Sequence, residues 1–117
     1  IKETVANLTG ISYFVTRIFY GSLIAPIVEE LVFRGLLMTA LSKLKKYYID
    51  VIASSTLFSI IHVLQYGWVL TDFIIYAGAG LLLCMFFRYT RSVYWSMALH
   101  ILWNTFLIIV SLLVFGY

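Results

Sequence analysis

Four apolar stretches, each near the length that crosses a bilayer, decide what this chain can fold into. A membrane-spanning helix needs ~20 mostly apolar residues, and inside a bilayer the backbone must satisfy its own hydrogen bonds. The stretches run approximately from Ile11 to Leu41, Ile49 to Tyr66, Val69 to Phe87 and Val93 to Tyr117. The first is too long for one perpendicular span at ~1.5 Å per residue. It also contains Pro26, which lacks a backbone donor, so a break or kink is expected between Gly21 and Pro26. The links are short: Ser42 to Tyr48, a few residues around Gly67, and Arg88 to Ser92. Short links make successive helices antiparallel neighbours. The expected fold class is all-α, a polytopic transmembrane bundle of about four helices that forms one unit over residues 1–117. The chain begins with Ile1 rather than Met and reads as an excerpt of a longer protein.

Composition agrees with the stretches. Apolar and aromatic residues make up 63% of the chain and charged residues 11%, against roughly 25% charge in soluble domains. The net charge of +3 does not point to nucleic acid, because the basic residues lie between apolar runs. Lys43, Lys45 and Lys46 follow the first stretch, and Arg88 and Arg91 follow the third. Both groups fall on one side if all four helices span, and Lys and Arg accumulate on the cytoplasmic side. The basic loops are therefore expected in the cytoplasm, and the expected location is a cell membrane, bacterial in kind. Tyr47, Tyr48, Tyr66, Trp68, Tyr89, Tyr94 and Trp95 sit near the stretch ends, where interfacial aromatics belong. The single cysteine, Cys84, has no polar neighbour in sequence and no cysteine to pair with. Ala77, Gly78, Ala79 and Gly80 would let a neighbouring helix approach closely.

Few polar residues interrupt the apolar stretches. Glu29, Glu30 and Arg34 lie within six residues, after Pro26. Each charge at mid-bilayer costs about 2.5–3.5 kcal/mol, an expense that packing alone does not require. Glu30 and Arg34 are spaced to pair on one helix face. Glu29 points about 100° away around the helix and stays free to face a cavity. His62 stands in the second stretch, with Ser55 and Ser59 on its side of the helix. His100 and Asn104, four apart, stack on one face of the fourth. Alone, each group reads as easily as a structural ion pair or as interhelical hydrogen-bond glue. Counted at ~1.5 Å per residue from the basic loops, however, all three lie at overlapping depths of roughly 12–20 Å. Such convergence favours one shared polar cavity, and ionisable groups facing an intramembrane cavity are the default sign of function. The inventory suits activation of water and stabilisation of an oxyanion. No Gly-x-Ser-x-Gly elbow and no His-Glu-x-x-His pair is present. Asp50 and Asp72 sit near helix ends, which argues against an aspartyl dyad. Two competing classes are a proton or ion transporter, which uses similar groups, and a catalytically silent binding or immunity protein.

The order Glu29-Glu30-x-x-x-Arg34, Phe58-x-x-x-His62, His100-x-x-x-Asn104 on successive apolar helices resembles the CPBP family. These are the CAAX prenyl endopeptidases and bacteriocin-processing proteases, also called Abi proteins. The run from Pro26 to Gly35 is similar to the family's first motif, and the likeness spans roughly Ala25 to Thr105. The resemblance implies an intramembrane endopeptidase acting on membrane-associated, prenylated or leader peptides. It implies that Glu29 activates water with His62 as its partner, and that His100 and Asn104 contact the developing oxyanion or help hold a metal. Glu30 and Arg34 would then be a supporting pair. Both a metal-free mechanism and a metalloprotease mechanism are compatible with this pattern. In the second, Zn²⁺ or another divalent metal would be held by Glu29, His62 and His100, with water at the open position. The expected partners are the lipid bilayer and a peptide or protein substrate entering from it.

Overall fold

The computed structural model describes residues 2–116. Tyr117, the expected end of the last stretch, and the Tyr66 side chain, expected at an interface, lie outside the described residues. A first helical rod runs without a break from Lys2 to Met38. It consists of α1 (Lys2–Ile18), a π-helical segment Phe19–Ile24, α2 (Ala25–Glu30) and a second π-helical segment Leu31–Met38. A 3-10 turn, Ser42–Tyr47, leads to α3 (Ile49–Tyr66), α4 (Leu70–Thr90) and α5 (Val93–Phe115). The first rod, α4 and α5 are long and apolar enough to cross a membrane, and α3 is apolar but shorter. Of the four expected spans, three thus have full length. The 18 residues of α3 cover ~27 Å, just under the ~30 Å of a bilayer core.

The interruption expected near Pro26 takes the form of a wider turn, not a break. Ile18, Ala25, Glu30 and Thr39, at the borders of the π segments, all keep right-handed helical torsions. Pro26 has no N–H, and its ring presses on the carbonyl one turn earlier. The turn before it opens, so that the Ala25 N–H reaches back five residues to the Tyr20 carbonyl. Such π turns inside α-helices occur frequently at functional sites.

The bundle is polar inside and apolar outside. Glu30, Arg34, Ser54, Ser59 and Ser96 are fully buried, while Leu36, Leu64, Leu82, Leu102 and Leu113 are each 67–82% exposed. A soluble protein distributes these residues the other way. With lipid as solvent the pattern is reasonable, because apolar contact gives helices no net drive to associate there and polar contacts hold them together. Several side chains reach across to backbone carbonyls, among them Ser54 Oγ, which donates to Phe33 O at 2.9 Å, Ser59 Oγ to Phe73 O at 2.6 Å, and Asn104 Nδ2 to Gly21 O at 3.0 Å. Each carbonyl keeps a second lone pair for this purpose while its first serves the helix. At one end of the bundle Arg88 closes α4 onto α3, paired with Asp50 and donating to Lys45 O at 2.7 Å. That contact brings the two basic loops together at one end, as the antiparallel reading requires.

The α3–α4 interface relies on one glycine of the small-residue stripe. A Cβ at Gly80 would lie 3.2 Å from Ser55 Cα and 3.1 Å from the Phe58 ring, whereas one at Gly78 would meet nothing within 4 Å. The same close approach gives buried Cys84 a polar neighbour that its sequence surroundings lack: Ser55 Oγ lies 3.6 Å from its sulfur. Gly80→Ala should therefore push α3 and α4 apart and destabilise the fold by about 1–3 kcal/mol, the usual cost of overpacking. Gly78→Ala should be neutral or stabilising, since alanine is the better helix former. Thermal melting of both variants in detergent checks the pair, and equal melting temperatures would refute the close-packed role of Gly80.

Candidate active site

The polar residues of three apolar elements meet in one cluster. The last turn of α2 supplies Glu29 and Glu30, the following π segment supplies Arg34, α3 supplies His62, and α5 supplies His100. His62 Nε2 lies 3.3 Å from Glu29 Oε1, and His100 Nε2 lies 3.5 Å from Glu29 Oε2. One carboxylate is thus shared between two imidazoles from two helices. The neighbouring carboxylate also reaches His100, whose Nδ1 lies 2.8 Å from Glu30 Oε1.

The cluster has a sealed half and a more open half. Glu30 and Arg34 are completely buried, whereas the side chains of Glu29 and His62 retain 23% and 17% exposure. In the sealed half, Glu30 receives Ser96 Oγ at 2.6 Å on one oxygen and faces His100 and Arg34 with the other. Arg34 Nη1 sits 3.3 Å from Glu30 Oε1, near enough to pair as charges but outside hydrogen-bond alignment. Its Nη2 instead donates to Gly80 O at 2.9 Å, and its guanidinium lies over the Phe58 ring at 4.9 Å. A buried charge needs both a partner and satisfied donors; Glu30, Gly80 and Phe58 meet that need in part, and Arg34 Nε and Nη1 stay buried without a hydrogen-bond acceptor.

The hydrogen-bond partners fix which nitrogen of each histidine carries a proton. His62 Nδ1 lies 2.6 Å from Phe58 O. A carbonyl only accepts, so Nδ1 is the donor. His100 Nδ1 faces the Glu30 carboxylate and donates in the same way. In a neutral imidazole the remaining nitrogen then holds a lone pair. With both rings neutral, both Nε2 atoms would turn acceptors toward Glu29, whose Oε2 is buried without a hydrogen-bond partner. Such an acceptor-rich point suits a water, a proton or a cation.

Glu29, Glu30, Arg34, His62 and His100, all anticipated from sequence, come together. Asn104 stands one turn beyond His100 on α5, and one of its amide N–H groups is held by Gly21 O in the first π segment. Three contributors were not anticipated. Ser96 lies four residues before His100, so the stripe Ser96-His100-Asn104 carried its signal. Gly80 acts through its carbonyl, which no side-chain pattern reveals. Tyr76 of α4 stacks on His62, with ring centroids 4.9 Å apart and planes at 26°, while Phe58 covers the ring from 4.3 Å.

The sequence pattern of the type II CAAX prenyl endopeptidase Rce1-like family matches residues 11–106, a range that includes every residue of this cluster. The chain belongs to this family. Among curated proteins, "Putative membrane peptidase YdiL" of Bacillus subtilis (strain 168) is 26% identical over 111 residues, which cover 95% of this chain and 43% of the relative. The chain thus spans less than half the length of that relative. No solved structure matches it significantly. Membership in an Rce1-like family agrees with the membrane setting that the long apolar helices indicate.

Two outcomes follow for the sealed half. Glu30→Gln leaves Arg34 as a buried charge without its counter-charge and should cost about 3–5 kcal/mol. Ser96→Ala removes one hydrogen bond to a charged group and should cost less, about 1.5–3 kcal/mol. Chemical or thermal unfolding in detergent should rank them in that order. For the open half, Tyr76→Leu should broaden and shift the His62 ring resonances in NMR spectra of histidine-labelled protein, while Tyr76→Phe should preserve them.

Proposed function

We propose that this chain is the core of an intramembrane endopeptidase in which Glu29 and His62 activate the attacking water. The observation that carries this reading is the convergence of two imidazole Nε2 atoms on one carboxylate. A water at that point donates one hydrogen to Glu29 and the other to an imidazole, so its oxygen is left electron-rich and directed outward. Attack on a peptide carbonyl forms the new C–O bond as the proton passes to Glu29. The same proton then goes to the leaving amine as the C–N bond breaks. Glu30, with Arg34 and Ser96 around it, fixes the ring of His100. With its Nδ1–H spent on Glu30, His100 donates to an oxyanion only when Nε2 is also protonated. Asn104, with a second amide N–H beyond the one held by Gly21, is the better-placed neutral donor of that stretch.

A divalent cation is the second reading, favoured by the donor set. Metal-bound histidines hold their other ring nitrogen on a carbonyl or carboxylate, as His62 and His100 do here. Glu29, His62 and His100 would be the ligands, and a Zn²⁺ there would polarise the scissile carbonyl and acidify its water. Against a preformed site stands the spacing: among the described residues no three His, Cys, Asp or Glu side chains close up as metal ligands.

Substrates of this reading are peptides that reach the site from the bilayer, prenylated C-termini or hydrophobic leader peptides among them. The setting is a bacterial cell membrane with the basic loops in the cytoplasm. The family description is in keeping with prenylated C-termini, and the charge distribution with the orientation of the loops. Glu29→Gln keeps the shape of the side chain and loses the base. In a detergent assay on a peptide library it should abolish cleavage with an unchanged melting temperature. Turnover at the unaltered rate would remove Glu29 from the mechanism. Elemental analysis and a chelator decide the metal question: bound stoichiometric zinc, with a melting temperature that falls on chelation, supports the cation. Full activity without metal supports the water-only route, and there Asn104→Ala should slow turnover by about 10²–10³-fold.

A further inference from the structure

The basic residues at the far end of the bundle line an open cavity that the proposed hydrolysis does not use. Its volume is about 790 Å³, and Lys45, Lys46, Arg88 and Arg91 line it. Asp50 is the one carboxylate in its wall, and Arg88 already engages that group. Four cations thus face one committed anion, and no carboxylate among the described residues pairs with Lys45, Lys46 or Arg91. Asp50 and His62 sit twelve residues apart on α3, so the cavity lies ~18 Å along that helix from the carboxylate–imidazole cluster.

Positive charge that serves only to orient a membrane protein can lie loose in water. Here part of it is built into a wall. The Arg88 guanidinium is fixed by Asp50, by Lys45 O and by stacking over Tyr48 at 4.5 Å. Among the described residues no hydrogen bond engages its Nη1 group, so two N–H donors remain for a ligand. Below the cationic rim, the wall turns apolar. Met38 belongs to the buried cluster with Val51 and Cys84, and Phe87 packs against it. An inorganic anion would use the rim and leave the apolar wall wet. A glycerophospholipid uses both, with its phosphate on the cations and its glycerol and upper acyl carbons on Met38 and Phe87.

We propose that this cavity binds the phosphate headgroup of an acidic phospholipid. The site stands at the end of the spans, where such headgroups lie, and each cation near an anionic membrane surface contributes on the order of 1 kcal/mol, about a fivefold change in affinity. Binding does not depend on the peptidase reading, and inactive Glu29→Gln protein should bind lipid as the unaltered protein does.

The test compares Lys46→Gln and Arg91→Gln with Lys43→Gln in the full-length protein. All three remove one charge from the same end, but Lys43 does not line the cavity. Protein in phosphatidylcholine nanodiscs with or without phosphatidylglycerol is melted, and lipid retained after delipidation is counted by native mass spectrometry. Phosphatidylglycerol should raise the melting temperature and stay bound. Lys46→Gln and Arg91→Gln should each weaken retention about fivefold, and Lys43→Gln should leave it unchanged. Equal losses in all three variants would mean bulk surface charge and overturn the site. Stabilisation by inorganic phosphate in pure phosphatidylcholine, equal to that by the lipid, would overturn the lipid as occupant.

Discussion

The Glu30 carboxylate is the contact on which the rest of the structure depends. It lies completely buried and takes Ser96 and His100 from α5 while it faces Arg34 one turn along its own rod. Arg34 in turn reaches Gly80 on α4 and covers Phe58 on α3. One ion pair therefore touches every long element of the bundle. In a medium that offers helices little hydrophobic reason to associate, such a hub does the work an apolar core does in water.

The hub explains a division of labour between adjacent residues of one helix. Glu30 is spent on structure, and its neighbour Glu29, turned about 100° around the axis, is left with a partly exposed side chain and two imidazoles facing it. The same backbone thus presents one carboxylate to the protein and the other to the reactants. His100 connects the two, with one ring nitrogen on each carboxylate. Any disturbance of Glu30 reaches Glu29 through that ring.

Much of this was legible in the sequence because membranes make polar residues expensive. Glu29, Glu30, Arg34, His62 and His100 stood out against their apolar neighbours, and their matching depths foretold that they would meet. The all-helical class and the junction of the two basic loops followed from run lengths and charge. What stayed hidden were contacts made by backbone or by ordinary residues. The Gly80 carbonyl has no side-chain signature, and Gly80 could not be told from Gly78 without the approach of Ser55. Tyr76 looked like any aromatic of an apolar helix. Arg88 read as a topology signal, whereas it also locks α4 to α3 through Asp50. Pro26 suggested a kink, but how a helix absorbs a missing donor depends on its neighbours, and here it widened.

That widening sets the angular phase of the first rod. A turn bonded five residues back holds one residue more than an α turn, so the segment before Phe19 and the segment after Ile24 are offset by about one residue's rotation, ~100°. Rewinding this stretch to an α-helix with every residue kept would swing α1 around the bundle while Glu29 and Glu30 kept their places, whereas loss of the one extra residue would let the turn close with both flanks in phase. The wide turn thus lets the rod carry its full count of residues between Arg17 and Pro26 and still hold α1 and the two carboxylates in their present phase.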